Sequence, residues 1–219
     1  HWDPTLAKDR VFGQDILDQQ IAKVAAARKS ILDWTEDTEA AVLKKQDFLA
    51  AADSAAASLK TTGDLAIAAF FAGENPKKRQ ENRNEFLHRH LELQNGDSQQ
   101  IPWEVNTLNQ LRSGEFPIRP FHWEIEFPEV FSRENVGFDA IVGNPPYLGG
   151  TKLEPALGKS WRAFIVQKIA IGKTGTRGAG DLAAYFLLRG YTLIADGGTL
   201  GLITTNSIRQ GDTREIGLA

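Results

Sequence analysis

Four consecutive residues, Asn144-Pro145-Pro146-Tyr147, carry the densest chemistry in this 219-residue sequence. The carboxamide oxygen of Asn144 and the carbonyl of Pro145 are acceptors that can receive the protons of an exocyclic amino group and draw its lone pair toward a nucleophilic geometry. Two successive prolines stiffen the backbone and remove two amide donors that would compete for those acceptors. The ring of Tyr147 can stack on a flat heterocycle. Aimed at an adenine in duplex DNA, this chemistry requires the base to leave the stack, at a cost of roughly a few kcal/mol. The plainer reading of the same four residues is a rigid turn after a strand.

Such a motif needs an element that delivers it to a site. Gly137-Phe138-Asp139-Ala140-Ile141-Val142-Gly143 is a short apolar run closed by Gly and Pro, which predicts a strand from Phe138 to Val142 buried on both faces of a parallel sheet. In open α/β sheets, ligand-handling residues sit at the carboxyl ends of strands, where Asn144 to Tyr147 fall. Downstream, Leu182, Tyr185, Phe186, Leu188, Leu193 and Ile194 predict a helix from Asp181 to Ala195, stopped by Asp196-Gly197-Gly198. A second buried strand is expected over Thr199 to Thr205. Strand, crossover helix and strand make a βαβ unit, right-handed by rule.

The first hundred residues read differently. Leu17, Ile21, Val24 and Ile31 form a helical stripe between Gly13 and about Trp34, and Val42, Leu49, Ala52, Ala56 and Leu59 form another between Asp37 and Leu59. The short polar link Trp34 to Asp37, with Thr35 or Asp37 as cap, predicts an antiparallel hairpin. Gly63-Asp64 opens a third, very apolar helix, Leu65 to Phe71, and the charged stretch Asn75 to His90 predicts a solvent-facing helix. From Ile101 to Pro128, Pro102, Pro117, Pro120 and Pro128 break any long helix, while Trp103, Phe116, Phe121, Trp123 and Phe127 anchor a packed connector.

Composition bounds the class. The chain has ordinary apolar content and no apolar run of the roughly 18 residues a membrane span needs. It reads as soluble and unexported, and the absence of cysteine excludes disulfides and Cys-ligated zinc and is compatible with the cytoplasm. The absence of any methionine suggests a segment of a longer reading frame. The net charge of -3 hides a basic stretch, 151 to 189, in which Lys152, Lys159, Arg162, Lys168, Lys173, Arg177 and Arg189 face only Glu154 and Asp181. That stretch suits either a phosphate backbone or a solvated face beside a site.

The motif Asn144-Pro145-Pro146-Tyr147 resembles that of the class I amino-methyltransferases. More specifically, His122 to Phe131, followed by Gly137 to Gly150, is similar to the large Eco57I-like methylases of restriction-modification and phage-defence systems, as are Asp181 to Phe186 and Gln210 to Glu215. The resemblance covers about 116 to 219 well and the helical region loosely. It implies an α/β fold: a partial class I, Rossmann-like methyltransferase sheet at 101–219 with an N-terminal helical insertion at 1–100. It implies an N6-adenine DNA methyltransferase in which Asn144 and Pro145 bind the target amino group within the rigid turn that Pro146 completes, and Tyr147 stacks on the base. S-adenosylmethionine is then the methyl donor, and double-stranded DNA is the partner. Leu182 and Phe186 match positions that line the cofactor's adenine pocket; the alternative for each is a helix face in the core. The glycine-rich loop and acidic ribose ligand of the relatives have no counterpart here. The expectation is that other domains of the parent protein supply them and the target recognition, and that the isolated chain binds cofactor weakly or not at all.

Other signals carry less. Gly158-Lys159-Ser160 and Gly172-Lys173-Thr174 lack the glycine a phosphate-binding loop needs five residues earlier, where Leu153 and Gln167 stand. Gly178-Ala179-Gly180-Asp181 opens a helix without a strand running into it, so a dinucleotide loop is not indicated. His88 and His90 lie on different helix faces and read as surface histidines, and no metal site is predicted. Trp123-Glu124-Ile125-Glu126 reads as an alternating strand edge. Two alternatives stay open: the same motif serves methylation of protein glutamine and of ribosomal RNA amino groups, and the chain can be a noncatalytic DNA-binding or assembly module.

Overall fold

The computed structural model describes residues 21–26, 28, 29, 31, 38–170 and 180–218, and the chain divides into two compact units, 1–134 and 135–219. Among the described residues no helix is long and apolar enough to cross a membrane.

In the first unit a helical segment covers the described residues from 21 to 31. Its Val24 packs with Ala56 and Leu59, the two stripes meeting as expected; the link Trp34 to Asp37 lies outside the described residues. Helix α1, Glu39–Phe71, is 33 residues long and is capped by Thr38, whose Oγ1 accepts from the Ala41 amide at 3.2 Å. Two expectations are corrected here. Val42 and Leu49 are exposed, so the buried stripe runs instead through Ala41, Ala52, Ala56 and Leu59. The predicted break at Gly63-Asp64 is absent, because one glycine costs a helix only about 1 kcal/mol and packing overrides it. Here the packing is an imidazole: a Cβ on Gly63 would lie 2.5 Å from Cε1 of His122.

Helix α2, Pro76–Gln94, starts with Pro76 in its first turn and Asn75 as cap, Oδ1 accepting from the Lys78 amide at 2.9 Å. It is mostly solvent-facing, as its charge predicts, but His90 is 3 % exposed and is no surface histidine. Its ring lies between Thr62 Oγ1 at 2.9 Å and Glu104 Oε2 at 2.7 Å. A helix poor in apolar residues is thus held to its neighbours by paired polar groups, which is how a buried polar side chain avoids its desolvation cost. Glu104 belongs to α3, Ile101–Ser113, a helix where the sequence predicted an irregular packed connector: Pro102 sits in the first turn, where the missing amide has no intrahelical partner to lose. Trp123–Glu126 and Pro128–Phe131 are single helical turns rather than a strand edge. The rings of Trp123 and Phe127 stack with centroids 5.9 Å apart, a contact a helical turn supplies and an alternating strand does not.

The same unit buries a charged cluster. His122 Nε2 and Asp64 Oδ1 are 2.8 Å apart, and Arg112 Nη2 donates to Asp64 Oδ2 at 2.6 Å. Burial alone raises the Asp64 carboxyl, but hydrogen bonds from His122 and Arg112, with their charges, outweigh it and hold the group below its ordinary value.

The second unit is built on a two-stranded parallel sheet, β1 Phe138–Gly143 and β2 Ile194–Leu202. Between them run α4 Gly150–Leu157, α5 Lys159–Phe164 with a π-helical turn Ile165–Ile169, and α6 Leu182–Tyr191. After β2, a 3-10 turn Asn206–Arg209 leads to α7, Gly211–Gly217. The core gathers Leu153, Ile165, Ala170, Ala184, Tyr185 and Ile216, and burial pushes the Tyr185 phenol up.

The βαβ order stands, with shifted edges. Helix α6 ends at Tyr191 with Thr192 as cap, and Asp196-Gly197-Gly198 is no helix stop. These residues lie inside β2, where the register jumps from Phe138↔Ile194 to Ala140↔Thr199, and Gly197 has φ +75°. The glycines make a bulge. Burial of β1 on both faces is also corrected: Val142 is 82 % exposed, and Ala140 is exposed beside it. Among the described residues the sheet has two strands, and β1 leaves these side chains open to solvent.

Candidate active site

Asn144 follows β1 directly, and the turn it opens is tied down at three places. First, the pairing of β1 and β2 continues past their ends, the Ile203 amide donating to the Gly143 carbonyl at 2.9 Å. Second, the Tyr147 hydroxyl, three residues along the turn, reaches both Asn144 Oδ1, on a short contact, and the carbonyl oxygen of Ile203 at 3.1 Å. A phenol has one proton to give, so the two acceptors share it. Third, the Leu182 amide donates to the Leu148 carbonyl at 2.9 Å, joining the residue after the motif to the first turn of α6.

Within this frame Pro145 is buried, while Asn144 and Pro146 are exposed and Tyr147 is 46 % exposed. The buried proline fixes the path of the chain, and the groups on either side face solvent. One strand end therefore presents a carboxamide and an aromatic ring from a backbone with two amides removed. All four residues of the predicted motif come together at the carboxyl end of β1, and β2 ends beside them.

Leu182 and Phe186 stand on α6 four residues apart, hence on one helix face. Leu182 is half-buried against the core around Tyr185, and Phe186 is 45 % exposed. The ring of Phe186 is free to meet a flat ligand, whereas Leu182 already serves packing. Asp181, just before them, caps the helix, its Oδ1 accepting from the Ala183 amide at 2.9 Å while its own amide donates to Thr213 Oγ1 at 3.0 Å. Of the basic stretch, Arg162 reaches Glu154 at 3.6 Å and Arg189 donates to Thr192 Oγ1 at 2.9 Å. Lys173 and Arg177 lie outside the described residues, as do all of 171–179.

Residues 11–216 match the family described as Eco57I restriction-modification methylase. The chain belongs to this family. The match takes in both units and the whole frame around Asn144 to Tyr147. Among curated proteins, one from Methanocaldococcus jannaschii, whose name describes a type II restriction enzyme and methyltransferase, is 31% identical over 119 residues, covering 54% of this chain and 9% of that protein. The chain therefore spans only a small part of the length of the curated relative it matches. No solved structure matches it.

Sequence reasoning missed Ile203 and Leu148. Both act through backbone atoms, so their side chains carry no signal; the only clue was that two parallel strands end side by side.

Proposed function

We propose that this chain carries the target-amine side of a DNA N6-adenine methyltransferase site, on a class I, Rossmann-like sheet of which β1 and β2 are a part. The observation that carries the reading is the exposed Asn144 carboxamide and Tyr147 ring at the carboxyl end of β1, in a chain of a restriction-modification methylase family.

Asn144 Oδ1 and the Pro145 carbonyl accept from the exocyclic amino group of a flipped adenine. Taking the amine's protons as hydrogen-bond partners turns its lone pair out of conjugation with the ring and toward the methyl donor. Tyr147 stacks on the base and repays part of the cost of extruding it. For Asn144 to act, the Tyr147 hydroxyl yields its share of Oδ1 and keeps its bond to the Ile203 carbonyl, so binding the amine strands no donor.

S-adenosylmethionine, when bound, supplies an electrophilic methyl group. The exposed face of Phe186, with Leu182 one turn earlier, suits the flat adenine of that cofactor, while Asp181 at that helix start is already committed as a cap. The ribose and methionine parts then rely on other domains of the parent protein.

The test is transfer of labelled methyl from S-adenosylmethionine to adenine in duplex DNA by the full-length parent protein and by its Asn144→Ala variant. Losing a group aimed at developing charge costs about 10²–10³-fold in rate, with DNA affinity retained. Undiminished transfer by Asn144→Ala overturns the reading. So does transfer to a release-factor glutamine or to ribosomal RNA with none to DNA.

A further inference from the structure

Away from the motif, the first unit holds an open cavity of about 290 Å³ lined by Lys60, Asp64, Arg112, Arg119, Pro120, His122 and Glu126. Its charges are arranged unevenly. Each carboxylate is already engaged: Asp64 by His122 and Arg112, and Glu126 by Lys60 at 2.9 Å. Three cations remain against two anions, before any proton on His122 is counted.

The cations differ in what holds them. Arg112 is pinned through one nitrogen by a buried carboxylate, which preorganises its planar fork at little further entropic cost. Lys60 is partly exposed beside Glu126. Arg119 is exposed and has no ion-pair partner among the described residues. A free guanidinium beside a pinned one fits an oxyanion that can be gripped from two sides. Gly63 makes the arrangement possible, since any side chain there would displace the His122 ring from Asp64.

The size and lining narrow the ligand. A cavity of about 290 Å³ lies at the small end of ligand sites, and its only ring is that of His122, which is buried and bonded to Asp64. A nucleobase finds no platform on which to stack, whereas a phosphate needs none. We propose that this pocket binds a phosphodiester of the DNA backbone, with Arg119, Arg112 and Lys60 as its cationic walls. Such a contact positions the duplex and reads no sequence. The inference rests on the proposed DNA substrate but not on the chemistry at Asn144.

The test is DNA affinity of the full-length parent protein, by fluorescence anisotropy across a salt series, for wild type, Arg119→Ala, Arg119→Lys and, as a control outside the pocket, Lys77→Ala. Each phosphate neutralised contributes about 0.9 to the slope of log K against log salt. Arg119→Ala is expected to lower the slope by about that amount and weaken binding alike on unrelated duplexes, Arg119→Lys to keep the wild-type slope, and Lys77→Ala to leave it unchanged. A slope unmoved by Arg119→Ala, or lowered equally by Lys77→Ala, overturns this inference alone. A full-length parent protein that binds no duplex at all overturns the proposed function with it.

Discussion

Gly63 and His122 are in contact so close that no side chain fits between them: a Cβ on Gly63 would fall 2.5 Å from His122 Cε1 and 2.7 Å from Nε2. Helix propensity alone favours alanine over glycine at this position by about 1 kcal/mol. Overpacking opposes it at about 1–3 kcal/mol, and pushing the ring off Asp64 exposes a buried carboxylate to loss of its partner at about 1–3 kcal/mol more. Gly63→Ala is therefore expected to destabilise the first unit by roughly 1–5 kcal/mol net, read as a lower urea midpoint. A midpoint raised by the substitution, as propensity alone would give, would show that the ring does not depend on the gap.

The carboxyl of Asp64 is held below its ordinary value, and this ties stability to acid. A carboxylate whose folded pKa is depressed contributes stability that is fully present above the unfolded value, about 4, and is lost as pH falls through the lower folded value. Comparing urea midpoints of wild type and Asp64→Asn from pH 6 downward should give a constant gap above about pH 4 that closes below it. A gap that persists unchanged to pH 2 would mean the carboxylate is not the group that matters.

How much of this was legible follows from the range over which each signal acts. Local periodicity and turn chemistry placed β1 within a residue, put α6 at Asp181 and indicated the parallel pairing, because each depends on neighbours a few residues away. The position of Asn144 to Tyr147 was equally legible, since these residues follow β1 directly. What failed depended on distant partners. Gly63 reads as a break until His122, far along the chain, fills its gap. His90 reads as surface until Thr62 and Glu104 close around it. Gly197 and Gly198 read as a helix stop, although the same conformational freedom serves a bulge, and only the register with β1 distinguishes the two.

Gly137, one residue before β1, has φ +115°, and a Cβ there would lie 2.6 Å from the Ala195 amide nitrogen. Alanine is strained in that conformation by about 1–3 kcal/mol before the collision with β2 is counted. Gly137→Ala should thus loosen the start of the sheet. Hydrogen exchange at the Phe138 amide, which donates to the Leu193 carbonyl at 2.8 Å, is the direct readout, and its protection should fall by at least about tenfold, the equivalent of 1.4 kcal/mol. Wild-type protection in the variant would mean the backbone reaches the same pairing by another route.

Under the proposed function Tyr147 has two separable roles, and two substitutions divide them. Its hydroxyl links Asn144 to the Ile203 carbonyl, while its exposed ring offers a stacking face. Tyr147→Phe removes only the link. A net hydrogen bond is worth about 1 kcal/mol, which corresponds to about a fivefold fall in turnover if the link orients the carboxamide, with little change in KM for DNA. Tyr147→Ala also removes the ring, and base stacking is worth about 1–3 kcal/mol. That loss should appear in KM, and in fluorescence of a 2-aminopurine placed at the target position, as a smaller flipped population. The order expected is wild type above Phe above Ala, with Phe moving kcat and Ala moving both constants. If Phe and Ala behave alike, the ring contributes nothing and Tyr147 serves only to brace the turn; if Phe matches wild type, Asn144 holds its orientation without help from Ile203.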